Sequence, residues 1–118
     1  SLEDNLKPKV QWLKALGMVD SQVAKTIVKF PLLMGSYSLE DNLKPKVQWL
    51  KELGMDGSQV AKTITNFPNL MGYSLKQNLK PKVEALREHD FTDNQIVRAL
   101  SGNAQLLSYS PKRWAHRF

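Results

Sequence analysis

The sequence predicts an all-α protein, a helical-repeat superhelix or solenoid, and three observations carry that prediction. The stretch from Ser38 to Gly54 recurs almost verbatim at Ser1 to Gly17 and more loosely at Ser74 to Arg87, so the units start 37 and then 36 residues apart. A fixed period of that size marks a repeat array. Within the shared stretch the apolar residues Leu2, Leu6, Val10, Leu13 and Leu16 are spaced by fours and threes, which makes one helical stripe. Each of the first two units also carries the same punctuation, a glycine after the first stripe and Phe-Pro after the second. The units are residues 1–37, 38–73 and 74–109, with 110–118 as the start of a truncated or divergent fourth. The one-residue difference in period is Ser36, which places a loop there.

Each unit reads as helix, turn, helix and short helical turn. Ser1 is expected to cap the first helix, with Glu3 and Asp4 where negative charge suits the helix dipole. Ser74 and Gln77 have capping-box spacing in the third unit. Gly17 and Gly54 are expected to end the first helices in left-handed conformation. Pro8, Pro45 and Pro81 lie too deep for a straight helix, because proline loses a backbone donor and clashes with the carbonyl four residues back. Two outcomes are open, a kink in every repeat or a late start of the regular helix. The second helices are expected to start near Ser21, Ser58 and Asn94. Val23, Ala24, Ile27 and Phe30 would form the core face, matched by Val60, Ala61, Ile64 and Phe67. Phe30-Pro31 and Phe67-Pro68 end these helices, since a residue before proline avoids helical geometry. Pro31–Gly35 and Pro68–Gly72 suit a single 3₁₀ turn. In the third unit Asp90 replaces the glycine and Asn103-Ala104 replaces Phe-Pro, so its second helix is free to run on toward Leu106-Leu107.

Composition narrows the function classes. With no cysteine there is no disulfide framework and no thiolate metal site. No apolar run approaches the ~18 residues of a membrane span. No targeting segment precedes the repeat that begins at Ser1, so the expectation is a mature protein or a fragment of one. The net charge of +6 is spread thinly, with half of it in residues 110–118. A binding role therefore depends on folding to sort lysines onto one surface.

The run Ser-Leu-Glu-x-Asn-Leu-Lys-Pro-Lys-Val-x-x-Leu-Lys-x-Leu-Gly, then Val-Ala-Lys-x-Ile, then Phe-Pro-x-Leu-Met-Gly-Tyr-Ser, resembles the mitochondrial transcription termination factor (mTERF) repeat family. The resemblance covers residues 1–110 in three registers and departs at Asn103-Ala104. It implies a curved superhelix with two antiparallel helices and a 3₁₀ turn per repeat. It also implies an organellar protein, of mitochondrion or chloroplast, that binds nucleic acid along a positive concave groove. Duplex DNA is the leading target and RNA the alternative, with a role in transcription termination, its regulation or other steps of gene expression.

The residues offer matching candidates. Lys7 and Lys14 are seven apart on the first helix, and the pairs Lys44/Lys51 and Lys80/Arg87 repeat them in register. Stacked, they form a basic ladder, the footprint of a phosphate binder, diluted by Glu3 and Glu40. This ladder is the expected binding face. Lys25, Lys62 and Arg98 on the second helices form the alternative, because helical phase does not choose between them. Lys112, Arg113 and Arg117 make the densest cluster. Lys9, Lys46 and Lys82 fall on the apolar side of an ideal helix, and a kink is expected to turn them out. Trp12 and Trp49 are assigned to inter-repeat packing. Tyr37, Tyr73 and Tyr109 are assigned to the repeat junctions, each with a hydrogen-bonded hydroxyl. His89 and His116 lack metal-ligand spacing to a second ligand, and no glycine-rich phosphate loop appears, so no catalysis, metal or cofactor is expected. A protein-interaction scaffold is the competing reading, and repeats without polar caps suggest self-association.

Overall fold

In the computed structural model, residues 2–31, 35 and 37–103 are described, the side chains of 2–5 and of Asn103 excepted. The described residues are helical throughout, with no strand. The first helices are α1 (Leu2–Ala15), α3 (Lys44–Glu52) and α5 (Lys80–Glu88), and the second helices are α2 (Asp20–Lys29), α4 (Gly57–Asn66) and α6 (Asp93–Asn103). Each first helix packs on the second helix of its own repeat, and α2, α4 and α6 pack side by side in chain order. The result is elongated, 45 × 24 × 22 Å.

The proline problem is solved by a late helix start in repeats 2 and 3. Leu39–Leu43 and Leu75–Leu79 each form one wide π turn, and α3 and α5 begin only at Lys44 and Lys80. Pro45 and Pro81 thereby fall in the first helical turn, where a missing N–H costs least. The wide turn is closed by Leu43 and Leu79 N–H groups donating to the Ser38 and Ser74 carbonyls. Ser38 and Ser74 cap it by accepting from Asp41 N–H at 3.1 Å and Gln77 N–H at 3.0 Å. In repeat 1, α1 instead runs through Pro8. The cap expected of Ser1 lies outside the described residues.

Gly17 and Gly54 adopt φ of 104° and 117°, as the left-handed caps require, and Asp90 takes the same role at φ 67°. Each N–H at this turn donates to the carbonyl three residues back. The second helices start one residue earlier than the sequence suggests, and the caps of α4 and α6 are Asp56 and Thr92, ahead of Ser58 and Asn94. Asp56 Oδ1 accepts from Gln59 N–H at 2.7 Å, and Gln59 Oε1 accepts from Asp56 N–H at 3.0 Å. Thr92 and Gln95 make the same reciprocal pair. This is a capping box. In repeat 1 the cap position is Val19, which is 60% exposed and has no side chain to accept, so only the Gln22 half survives. Val19→Asp is therefore expected to raise the unfolding free energy by about 1 kcal/mol, read as a higher urea midpoint at unchanged slope.

Phe30 and Phe67 leave helical geometry at φ −144° and −141°, as the following prolines dictate. Pro68–Gly72 then forms the expected 3₁₀ turn, packed on α4 and reaching back to α2. Its repeat-1 counterpart includes Leu32, Leu33 and Met34, outside the described residues, as is the continuation toward Leu106-Leu107. The core is continuous through the repeats, from Leu13, Met18 and Val23 through Leu43, Leu50, Ile64 and Met71 to Leu86, Ile96 and Leu100. One assignment is corrected: Ala24 is exposed, while Ala61 in the same register is buried, because only the later helix has another second helix against its outer side.

Candidate nucleic-acid interface

The basic side chains divide into three groups by their surroundings. The first follows the prolines. Lys9 and Lys46 are buried at 5% and 6% exposure and Lys82 is half-buried, so these lysines turn inward and not, as expected, outward. In repeats 2 and 3 the π turn leaves Lys46 and Lys82 on the apolar side, and in repeat 1 the unbroken α1 does the same for Lys9. What makes this tolerable is a prepared seat. Lys46 Nζ donates to the Met71 carbonyl of the 3₁₀ turn and lies 5.8 Å from the Tyr37 ring centroid. Lys82 Nζ lies 5.7 Å from the Tyr73 ring centroid. Burial pushes all three ammonium groups below the ordinary lysine range. Lys46 and Lys82 are structural residues at the repeat junctions, and Lys9 is buried in repeat 1.

The tyrosines complete those junctions. Tyr37 packs on Phe30 with centroids 5.7 Å apart, and Tyr73 meets Phe67 edge-on at 6.0 Å. Gly72 passes so close that a Cβ there would meet the Phe30 ring and the Tyr37 hydroxyl at 3.0 Å. Trp49 is buried and shares a cleft with α5 of the next repeat, and Trp12 is half-buried against the core. Tyr109 lies outside the described residues.

The second group is the first-helix ladder. Lys7, Lys14, Lys44, Lys51, Lys80 and Arg87 are all exposed. Acidic neighbours claim half of them. Lys14 pairs with Asp20 at 3.1 Å and Lys44 with Glu40 at 2.6 Å. Arg87 donates through Nε to Asp93 at 2.9 Å and through Nη1 to Glu84. Hydrogen bonds to Asp93 and Glu84 hold that guanidinium above even its usual high range. Its planar fork is thus committed within the protein.

The third group is the second-helix set, Lys25, Lys62 and Arg98, exposed in all three repeats and in no ion pair among the described residues. These positions occupy one register on helices that pack side by side, so they form a row rather than three separate charges. Helix spacings of about 8–10 Å give the row a length of about 16–20 Å. Lys112, Arg113 and Arg117 lie outside the described residues. Among the described residues there is no cluster of three or more His, Asp or Glu able to hold a metal, and no helix long and apolar enough to cross a membrane.

A protein of stacked helix pairs, each carrying the same exposed basic positions and an inward-turned lysine after the proline, is a helical-repeat protein. The family model described as mTERF matches residues 1–116, and the chain belongs to the mTERF family. No curated protein and no solved structure matches it. The family is one of nucleic-acid-binding helical repeats of organellar gene expression.

Proposed function

We propose that the chain is a non-enzymatic module that binds duplex DNA through phosphate contacts and serves transcription termination or its regulation in a mitochondrion or chloroplast. The observation that carries this reading is the row Lys25, Lys62 and Arg98, three cations in one register without acidic partners among the described residues. Such a row can follow a phosphate backbone without first breaking ion pairs. Lys7, Lys51 and Lys80 supplement it from the first helices. Phosphate contacts position a protein without reading sequence. With Arg87 held by two carboxylates, only Arg98 among these residues offers a fork to a guanine edge. Sequence preference from these repeats is accordingly weak.

The test is equilibrium binding at low salt to duplex DNA, single-stranded DNA and RNA of matched length. Duplex DNA is expected to bind tightest, with little dependence on sequence. For Z phosphate contacts the log–log salt slope on duplex is about −0.9Z, so the row with the three supplementary lysines gives a slope of about −5. A tighter complex with RNA would move the target to RNA. Absence of binding to all three at low salt would favour a protein-interaction scaffold.

A further inference from the structure

Repeat 1 presents on its outer side positions that are covered in the other two repeats. Leu43, Val47, Leu79 and Val83 are buried, whereas Leu6 and Val10 in the same register are half-exposed. They line a surface cleft of about 370 Å³ with Lys7, Gln11 and Lys14. On the second helices the contrast is sharper. Thr65 and Ser101 are buried, with their hydroxyls donating to the carbonyls of Ala61 and Val97. The same position in repeat 1 holds Val28, 79% exposed. An apolar residue left in water where its counterparts are polar and buried marks a face suited to being covered.

What fits that face is shown by the junction between repeats 2 and 3. There Trp49 and Glu52 of α3, with the following Leu53, share a cleft of about 320 Å³ with Lys80, Val83, Glu84 and Arg87 of α5. One repeat thus sets an acid and apolar side chains beside Lys80 and Val83 of the next, and beside an Arg87 that its own repeat's Glu84 and Asp93 also hold. Lys7, Val10 and Lys14 stand in the register of Lys80, Val83 and Arg87. Ala85, Glu88 and His89 stand in the register of Trp49, Glu52 and Leu53, with Glu88 and His89 exposed and Ala85 half-exposed. Each chain therefore carries both sides of a repeat junction in accessible form, with the exposed Glu88 at the end of α5 and Lys7 and Lys14 on α1, Lys14 exchanging its Asp20 partner on docking.

We propose that a second copy of this chain docks head to tail, with the α5 face of one copy on the α1 face of the next and Glu88 set against Lys7 and Lys14. The two faces differ, so the contact is heterologous and extends to longer oligomers instead of closing as a dimer.

Sedimentation velocity of the full chain without nucleic acid, from micromolar to millimolar concentration, tests this. The average sedimentation coefficient is expected to rise steadily with concentration. Glu88→Lys should weaken association about fivefold, the scale of an exposed ion pair, and the double variant Lys7→Glu, Lys14→Glu should do the same. Combining all three substitutions should restore association, a rescue that general misfolding cannot produce. A wild-type chain that stays monomeric throughout overturns the proposal. So does association that Glu88→Lys leaves unchanged; if Val28→Asp then abolishes it, the outer faces of two repeats 1 meet each other.

Discussion

Lys46→Ala is expected to lower the unfolding free energy by about 2–4 kcal/mol, although the residue removed is a lysine. The side chain is buried and runs through the junction between repeats 1 and 2. Truncation removes its packed methylenes and leaves a cavity. It also removes the donor to the Met71 carbonyl, which is fully buried with its residue. An acceptor left unpaired in that setting is costly. Lys46→Met separates the two contributions, since it keeps the volume and discards both the charge and the donor. It should recover much of the stability, because replacing a buried charge by an apolar group of similar size is often near neutral. Lys44→Ala, an exposed neighbour, should change stability by no more than about 0.5 kcal/mol. The pH dependence follows from the lowered pKa. The folded state binds the Lys46 proton less tightly than the unfolded chain does. Its unfavourable contribution is therefore complete at neutral pH and is relieved as pH rises toward the ordinary value of about 10.4. The stability difference between wild type and Lys46→Ala, measured by urea unfolding, should widen from pH 7 to pH 10.

Much of the fold is legible in the sequence because it depends on the backbone. Gly54 and Phe67-Pro68 restrict φ and ψ whatever surrounds them, and the turns they announce are in place. The repeat period itself locates every described helix. The caps at Asp56 and Thr92 are equally readable, through the glutamine three residues on, but Ser58 and Asn94, two residues on, compete for the same role. Lys46 shows a different limit. Helical phase puts it on the apolar side correctly, and the expectation that it must turn out comes from the cost of burying an ammonium. That cost is met by one carbonyl and one aromatic ring from segments 25 residues later and 9 earlier in the chain, which no local pattern displays. Exposure of Ala24 is likewise invisible, because nearly identical repeats differ in burial only through their neighbours.

The candidate interface is half legible for a related reason. Register alone yields the two rows of cations. It does not show which cations the protein already neutralises. Asp20 and Asp93 sit at the starts of second helices, outside the periodicity of the first-helix ladder, yet they reach Lys14 and Arg87. Folding thus shifts the balance from the first-helix ladder to the second-helix row.

The decisive functional variant replaces that row. Lys25→Ala, Lys62→Ala and Arg98→Ala together are expected to flatten the log–log salt slope for duplex DNA by about 2.7, the value for three phosphate-bound cations. Affinity should fall about equally for unrelated sequences, because in the proposed mode of binding these side chains contact chiefly phosphate. The row spans about 16–20 Å, or roughly five or six base steps of one strand at about 3.4 Å each. Three cations over that length engage one stretch of backbone together, so single substitutions should each remove about 0.9 from the slope. All three positions are exposed and outside any ion pair among the described residues, so the variant should unfold within about 0.5 kcal/mol of wild type. Weaker binding would then report a missing phosphate grip and not a folding defect. The comparison is Lys44→Ala with Lys51→Ala, where Lys44 already serves Glu40. If that pair costs more affinity than the row does, the first helices line the groove, and the charges on α2, α4 and α6 are only a solvated surface.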